Sequence, residues 1–341
     1  VFYCALIENR EYLANVVDKI ADAEAFPVLF ATVGACRNKL DEVRYRDLFA
    51  MIANGRVDAK YIKEFLNYSF LSSDISIIEI YKDIASLGSA ARITILNNIK
   101  WTVISRDASD LLECSEFIEQ YVKALLADED VRVKYFSDIM EIAEHYLRTL
   151  DKPDFAIHIH SYILKFLNSC HYCNPEVIYI TLLDKYRNEI WPDLSNALLN
   201  TSVYFQLRSI LGAHIGMKSG LLCSYYDEDI LIQWCKENAP DAPRILASMI
   251  PVYQSYETKR FSNIMHKLLD LFGTDEDVLS NLSCNMGSFA WTGSIIPLLR
   301  LQLTALRELL NHKHYAVIRW AKQQIEYTEE AIQKEIYKEE L

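Results

Sequence analysis

Apolar residues recur every three or four positions along almost the whole chain, and this period constrains the fold more than any other feature of the sequence. Tyr135, Ile139, Ile142, Tyr146 and Leu150 form one such stripe, and Ile77, Ile80, Ile84 and Leu87 form another. Only an α-helix brings residues at that spacing onto one face. The punctuation agrees. Gly55, Gly88 and Gly273 each follow a periodic run, where a helix commonly ends on a left-handed residue, and Asn174 before Pro175 offers an N-cap followed by proline at the first helical position. Roughly sixteen to eighteen helices of about 10 to 20 residues are predicted, joined by short links. With 9 Gly and 8 Pro among 341 residues, the makings of strand turns are scarce, and no alternating strand pattern stands out. The fold class is all-α.

Charge narrows the function classes. Asp and Glu outnumber Lys and Arg by 47 to 35, a net charge of −12, so the averaged field repels nucleic-acid backbones and anionic lipid. No apolar run approaches the roughly 18 residues that a membrane span needs. The 8 cysteines are scattered through a long, core-rich chain and do not have the dense spacing of a disulfide-stapled secreted domain. A reducing cytoplasm is the expected compartment. The chain starts at Val1 with no signal peptide and reads as an excised piece of a larger polypeptide.

Repeats of 20 to 50 residues would change the fold from bundle to array. Asp128-Glu129-Asp130-Val131 returns as Asp227-Glu228-Asp229-Ile230 and as Asp275-Glu276-Asp277-Val278, the last two offset by 48 residues. Ile232-Gln233-Trp234-Cys235-Lys236 is echoed 86 residues later by Ile318-Arg319-Trp320-Ala321-Lys322, two periods of 43. Acids at these points suit helix N-termini. Two segments go further and resemble the HEAT consensus, in which a helix ends in Leu-Leu, a polar turn follows, and Val-Arg opens the next helix. They are Leu125-Leu126-Ala127-Asp128-Glu129-Asp130-Val131-Arg132, and Leu309-Leu310-Asn311-His312 running to Val317-Ile318-Arg319-Trp320-Ala321. The expectation is an α-solenoid of HEAT-like helix pairs over 111–341. Residues 1–110 are more degenerate, either TPR-like pairs or an irregular bundle. The last helix, from about Tyr315 to Leu341, carries Ile318, Ala321, Ile325, Ile332 and Ile336 on one side and reads as a polar end cap at a native C-terminus.

Chemistry-bearing motifs are few. Cys170-His171-Tyr172-Cys173 is the single CxxC, with His145, His158 and His160 nearby, but the second half of a zinc site is missing. His158 and His160 stand two apart and so face different ways on a helix. Cys170, His171 and Cys173 remain the only metal candidates, and ordinary loop and core roles are preferred for them. Gly212-Ala213-His214-Ile215-Gly216-Met217-Lys218-Ser219 has the wrong spacing for a phosphate loop and follows a helical segment instead of a strand. No nucleophile elbow, His-Glu-x-x-His or Cys–His arrangement is present, so neither catalytic residues nor a cofactor are expected. The loop from Ser283 to Ser294 sets Phe289 and Trp291 among small polar residues, and Tyr225 and Tyr226 stand in a similar setting after Gly220. These four aromatics are candidate partner contacts, and plugging the seams between helix pairs is the preferred alternative.

The order Trp191-Pro192-Asp193, Leu211-Gly212-Ala213-His214-Ile215-Gly216, Trp234-Cys235, Ala242-Pro243, Ile250-Pro251, Ser280 to Met286, Trp291-Thr292-Gly293-Ser294 and His312 with Val317 and Arg319-Trp320-Ala321 is similar to the C-terminal helical-repeat region of bacterial STAND-type NTPases of antiphage defence, the Avs-like and NACHT-like systems. It covers roughly residues 190–341. The resemblance implies a sensor that binds a phage protein, after which the full-length NTPase oligomerises. The ATPase and effector motifs of such proteins are not found here, so the sensor role alone carries over. The resulting expectation is a protein-binding module without catalysis, nucleic acid or membrane. The alternatives are a HEAT-like DNA-glycosylase-type protein gripping a duplex through a basic groove, or a housekeeping scaffold.

Overall fold

A computed structural model describes residues 46, 49, 50, 52–55, 77–167, 175–213, 220–255, 257–286 and 292–340. The contacts divide the chain into two compact units, Val1–Phe155 and Ala156–Leu341. This division falls within a helix near residue 155.

The first unit contributes α1 (Ile77–Ser86), α2 (Ser89–Ser105), α3 (Ala108–Glu113), α4 (Ser115–Ala127) and α5 (Glu129–Thr149), and α6 (Pro153–Phe166) begins in it. Helix α2 packs on α1, α4 and α5, and α5 packs on α4. These contacts tie residues 115–149 to the helices before them. Ile80 and Ile84 are buried, as are Ile139, Ile142, Tyr146 and Leu150. Tyr135, the first member of the second predicted stripe, is only half-buried because the helix breaks there (φ −120°, ψ 18°), and Phe136 turns inward instead.

The second unit continues with α7 (Glu176–Leu198), α8 (Thr201–Leu211), α9 (Leu221–Tyr225), α10 (Glu228–Glu237), α11 (Asp241–Met249), α12 (Asn263–Phe272), α13 (Glu276–Met286), α14 (Ile296–Glu308), a 3₁₀ turn at Leu309–Asn311, and α15 (Tyr315–Glu339). The helices come in pairs, α7 with α8, α10 with α11 and α14 with α15, with α13 next to α12 in sequence. Second helices of successive pairs also touch, α8 on α11, α11 on α13 and α13 on α15, and α10 lies on α12 among the first helices. The second helices begin at Thr201, Asp241, Glu276 and Tyr315, spaced by 40, 35 and 39 residues. In the first unit the corresponding starts are Ser89 and Glu129, 40 apart. These spacings run from just above the TPR value of about 34 to the lower edge of the HEAT range of about 40–47. The arrangement is an all-α helical repeat. Among the described residues there is no strand, only an isolated bridge between Tyr253 and Phe261, and no helix is long and apolar enough to cross a membrane.

The repeat register differs from the one suggested by the sequence echoes. Asp227 precedes α10, a first helix, whereas Asp128 and Asp275 precede α5 and α13, the second of their pairs. Trp234 and Trp320 are likewise on a first and a second helix. The echoes record local helix-start and seam chemistry, which recurs at both kinds of helix. The glycines also divide. Gly55 and Gly88 have positive φ, 76° and 112°. Gly273 ends α12 with φ −67°, and its requirement is space: a Cβ there would lie 2.3 Å from the Leu269 carbonyl oxygen and 2.5 Å from Val317 Cγ2. Pro175 itself stands at the N-cap of α7, one place earlier than predicted, and Asn174 lies outside the described residues.

Candidate interaction surface

The acidic strings do more than offset helix dipoles. Asp128 caps α5 by accepting from the Val131 amide, and it also accepts from the Ser89 hydroxyl at the start of α2. The Ser89 bond, followed by the Val131 amide, holds its carboxyl below the usual range. Asp275 caps α13 through the amides of Asp277 and Val278 and accepts from Arg244 Nε of α11 at 3.0 Å. Arg244 also reaches Asp277 at 3.1 Å, and Glu276 meets Arg319 of α15 at 2.9 Å. Asp227 makes no side-chain cap; its neighbours Glu228 and Asp229 take Lys267 of α12 at 3.1 and 2.7 Å. Each acidic helix start is thus a rung to an adjacent helix pair.

A second set of rungs crosses the second helices of Ala156–Leu341. The Tyr204 hydroxyl of α8 shares a hydrogen bond with Ser248 of α11. Asn281 and Asn285 of α13, one turn apart, donate to the carbonyls of Arg244 and Ala247, each at 2.9 Å. Ser283 accepts from Trp320 Nε1 at 2.8 Å and from Gln324 at 3.2 Å, both on α15. Directional bonds of this kind fix how far one helix slides on the next, which apolar contact alone does not.

Of the candidate partner contacts, Tyr226 proves to be a seam residue. It is buried, its hydroxyl donates to the Arg187 carbonyl at 2.8 Å, and its ring lies 4.4 Å from Trp191, which in turn stands edge-on to Trp234 at 5.9 Å. This aromatic trio joins α7 to α10. Tyr225 is half-buried beside it. Phe289 and Trp291 lie outside the described residues, as do Cys170, His171 and Cys173 and most of the Gly-rich segment after Ala213. Gly212 ends helix α8, in keeping with the helical reading of what precedes that segment. Among the described residues no group of three or more His, Cys, Asp or Glu is placed to hold a metal.

A few titratable groups are instead shifted by burial. His160 is fully buried against Tyr179, ring centroids 5.8 Å apart and edge to face, and burial pulls its pKa down to about 4, slightly opposed by Asp193. His158 instead lies beside Tyr162, ring centroids 5.1 Å apart and planes tilted by 50°, so the two histidines do point apart. Cys223 and Cys235 are each pushed up to about 12 by burial, which keeps both as thiols at neutral pH. Lys259, which sequence reasoning missed, is buried with its ammonium 4.4 Å from the Tyr253 ring centroid, and burial lowers its pKa to about 8.

The exposed side chains form a pattern the sequence did not disclose. The large aromatics that stand in water among the described residues are Trp101 on α2, Phe205 on α8, and Tyr315, Tyr327 and Tyr337 on α15. All five are on second helices. An open groove of about 1040 Å³ runs beside the last of these helices, floored by Leu303 and Ile332 and rimmed by Arg300, Arg307, Glu329 and Lys334. Arg307 and Glu329 are ion-paired across it at 3.2 Å. One signal was available: Tyr204 and Phe205 are adjacent in a helix and cannot both face the core.

Compared with protein-family models, with curated proteins and with solved structures, the chain matches none.

Proposed function

We propose that this chain is a protein-binding helical-repeat module of the α-solenoid kind, the sensing C-terminal part of a larger bacterial STAND-type NTPase of antiphage defence. A phage protein is its trigger, and binding favours the form of the full-length protein that oligomerises. The observation that carries the binding role is the placement of the exposed aromatics on second helices, which within Ala156–Leu341 are held to one another by side-chain rungs. Rigid aromatic side chains on an ordered frame make good contact anchors because little entropy is lost on binding. The surplus of acids favours a partner with a neutral or basic surface over a phosphate backbone. The defence role rests on the sequence resemblance.

Titration of the chain with individual purified phage structural proteins tests the reading, with the full-length NTPase as a working control. Saturable binding is expected, weakened about tenfold or more by Phe205→Ala. Absence of binding while the control responds would refute the sensor role. A salt-dependent shift of duplex DNA would instead favour the nucleic-acid reading.

A further inference from the structure

The outer face of α15 is nearly palindromic in its chemistry. Tyr327, Glu330, Lys334 and Tyr337 follow one another at intervals of three, four and three and so share one stripe of the helix. Reflection about position 332 sets Tyr327 opposite Tyr337, Glu330 opposite Lys334, and Glu326 opposite Lys338. The stripe stands in water: Tyr327 is 56% and Tyr337 65% exposed, and the Glu330 and Lys334 side chains are exposed too. Most of the buried positions, Val317, Ala321, Thr328 and Ile332, lie on another side of the helix, and Trp320, in line with Tyr327 and Lys334, is buried two turns before the stripe begins. Within one chain the stripe makes little of itself, with Glu330 and Lys334 3.8 Å apart and Gln323 donating to the Tyr327 hydroxyl at 3.2 Å.

We propose that this face is a self-association surface, on which two copies of the chain lay their α15 helices antiparallel across a two-fold axis. Tyr327 of each copy then meets Tyr337 of the other, and Glu330 meets Lys334 of the other. The charges select this occupant and this direction. A parallel pair in register would set Glu330 against Glu330, while a two-fold axis requires a surface complementary to itself, which an unrelated partner has no reason to find. Three or four turns of helix bury less than the roughly 1,200 Å² of a standard interface, so the isolated pair is weak and gains from any tethering that raises local concentration. The inference shares Tyr327 and Tyr337 with the exposed aromatics behind the phage-protein reading, but it is tested through Glu330 and Lys334 whereas that reading is tested through Phe205, so the two fail separately.

Sedimentation equilibrium of the 341-residue chain, from micromolar to millimolar, tests it, with far-UV circular dichroism confirming that each variant is folded. A monomer–dimer equilibrium is expected. Glu330→Lys and Lys334→Glu each place like charges at both symmetric contacts and should raise the dissociation constant about tenfold or more, while the double exchange restores it to within about threefold of the parent. Phe205→Ala, which tests trigger binding, should leave this equilibrium unchanged. A chain that stays monomeric at millimolar concentration overturns the proposal. So does a dimer indifferent to the single exchanges, or one that the double exchange fails to restore.

Discussion

The α4–α5 turn and the α14–α15 turn are spelled nearly alike, Leu-Leu, a polar stretch, then Val and Arg, yet their arginines end in opposite environments. Arg132 directly follows Val131, is buried, and donates to the Leu126 carbonyl of its own turn at 2.9 Å. Arg319 comes two residues after Val317, about 200° around the helix from it, so it leaves the core side altogether. Its side chain is 65% exposed and reaches Glu276 of α13. The intervening sequence is two residues longer in the second turn, and a 3₁₀ turn takes up part of it. The same word therefore fastens a turn internally in one place and makes an exposed ion pair to the neighbouring pair's helix in the other. A motif marks where a turn falls, and the count of residues within it decides what its charged member does.

The largest expected effect lies outside both turns and sets the conditions under which they can be compared. Burial favours neutral His160 in the folded chain, so its pKa falls from 6.5 to about 4 on folding. Stability is unaffected above pH 6.5, falls progressively below it as the unfolded chain takes up the proton, and levels off below about 4 after a loss of up to about 3 kcal/mol. His160→Phe should flatten chemical-denaturation midpoints across that window, and an unchanged pH profile would mean that the ring is solvated after all. Measurements on the turns belong above pH 7.

Next in size is the buried arginine. Arg132→Ala removes a charge-assisted bond and leaves the Leu126 carbonyl without that donor, at a cost of about 2 kcal/mol. Hydrogen exchange at the amides of α4 and α5 reads this locally, and a loss below about 0.5 kcal/mol would erase the contrast drawn here. The second turn is expected to be held by packing. Gly273→Ala drives a methyl into the Leu269 carbonyl and Val317, and since backbone cannot move aside, about 1–3 kcal/mol is lost.

How much of this was legible follows from which interactions are local. Helix identity rests on periodicity within a dozen residues, so Ile139, Ile142 and Tyr146 were read correctly as core. Asp128 and Asp275 were legible as helix starts for the same reason. Their second task, holding Ser89 and Arg244 some 30 to 40 residues away, depends on which pairs stack and leaves no local trace. The repeat register was misread because capping chemistry recurs at first and second helices alike. Tyr226 and Phe205 show the limit for surfaces: one aromatic ends a short helix and the other sits mid-helix, and only the neighbouring pair decides that the first is a plug and the second stands in water.

Arg319→Ala is the smallest effect and the sharpest test of the comparison. Both partners of its ion pair are exposed, Glu276 more so than Arg319, so solvent screens the attraction and ordering two long side chains offsets much of it. Less than about 0.5 kcal/mol should be lost, and parent and variant should converge in high salt as the Debye length shrinks to about 3 Å. Thermal unfolding of the two proteins side by side measures this. A loss above about 1 kcal/mol that persists in salt would place Arg319 in the same structural role as Arg132. The position of an arginine after its valine would then have lost the meaning assigned to it, and the two turns would have to be treated as equivalent rungs of one repeat.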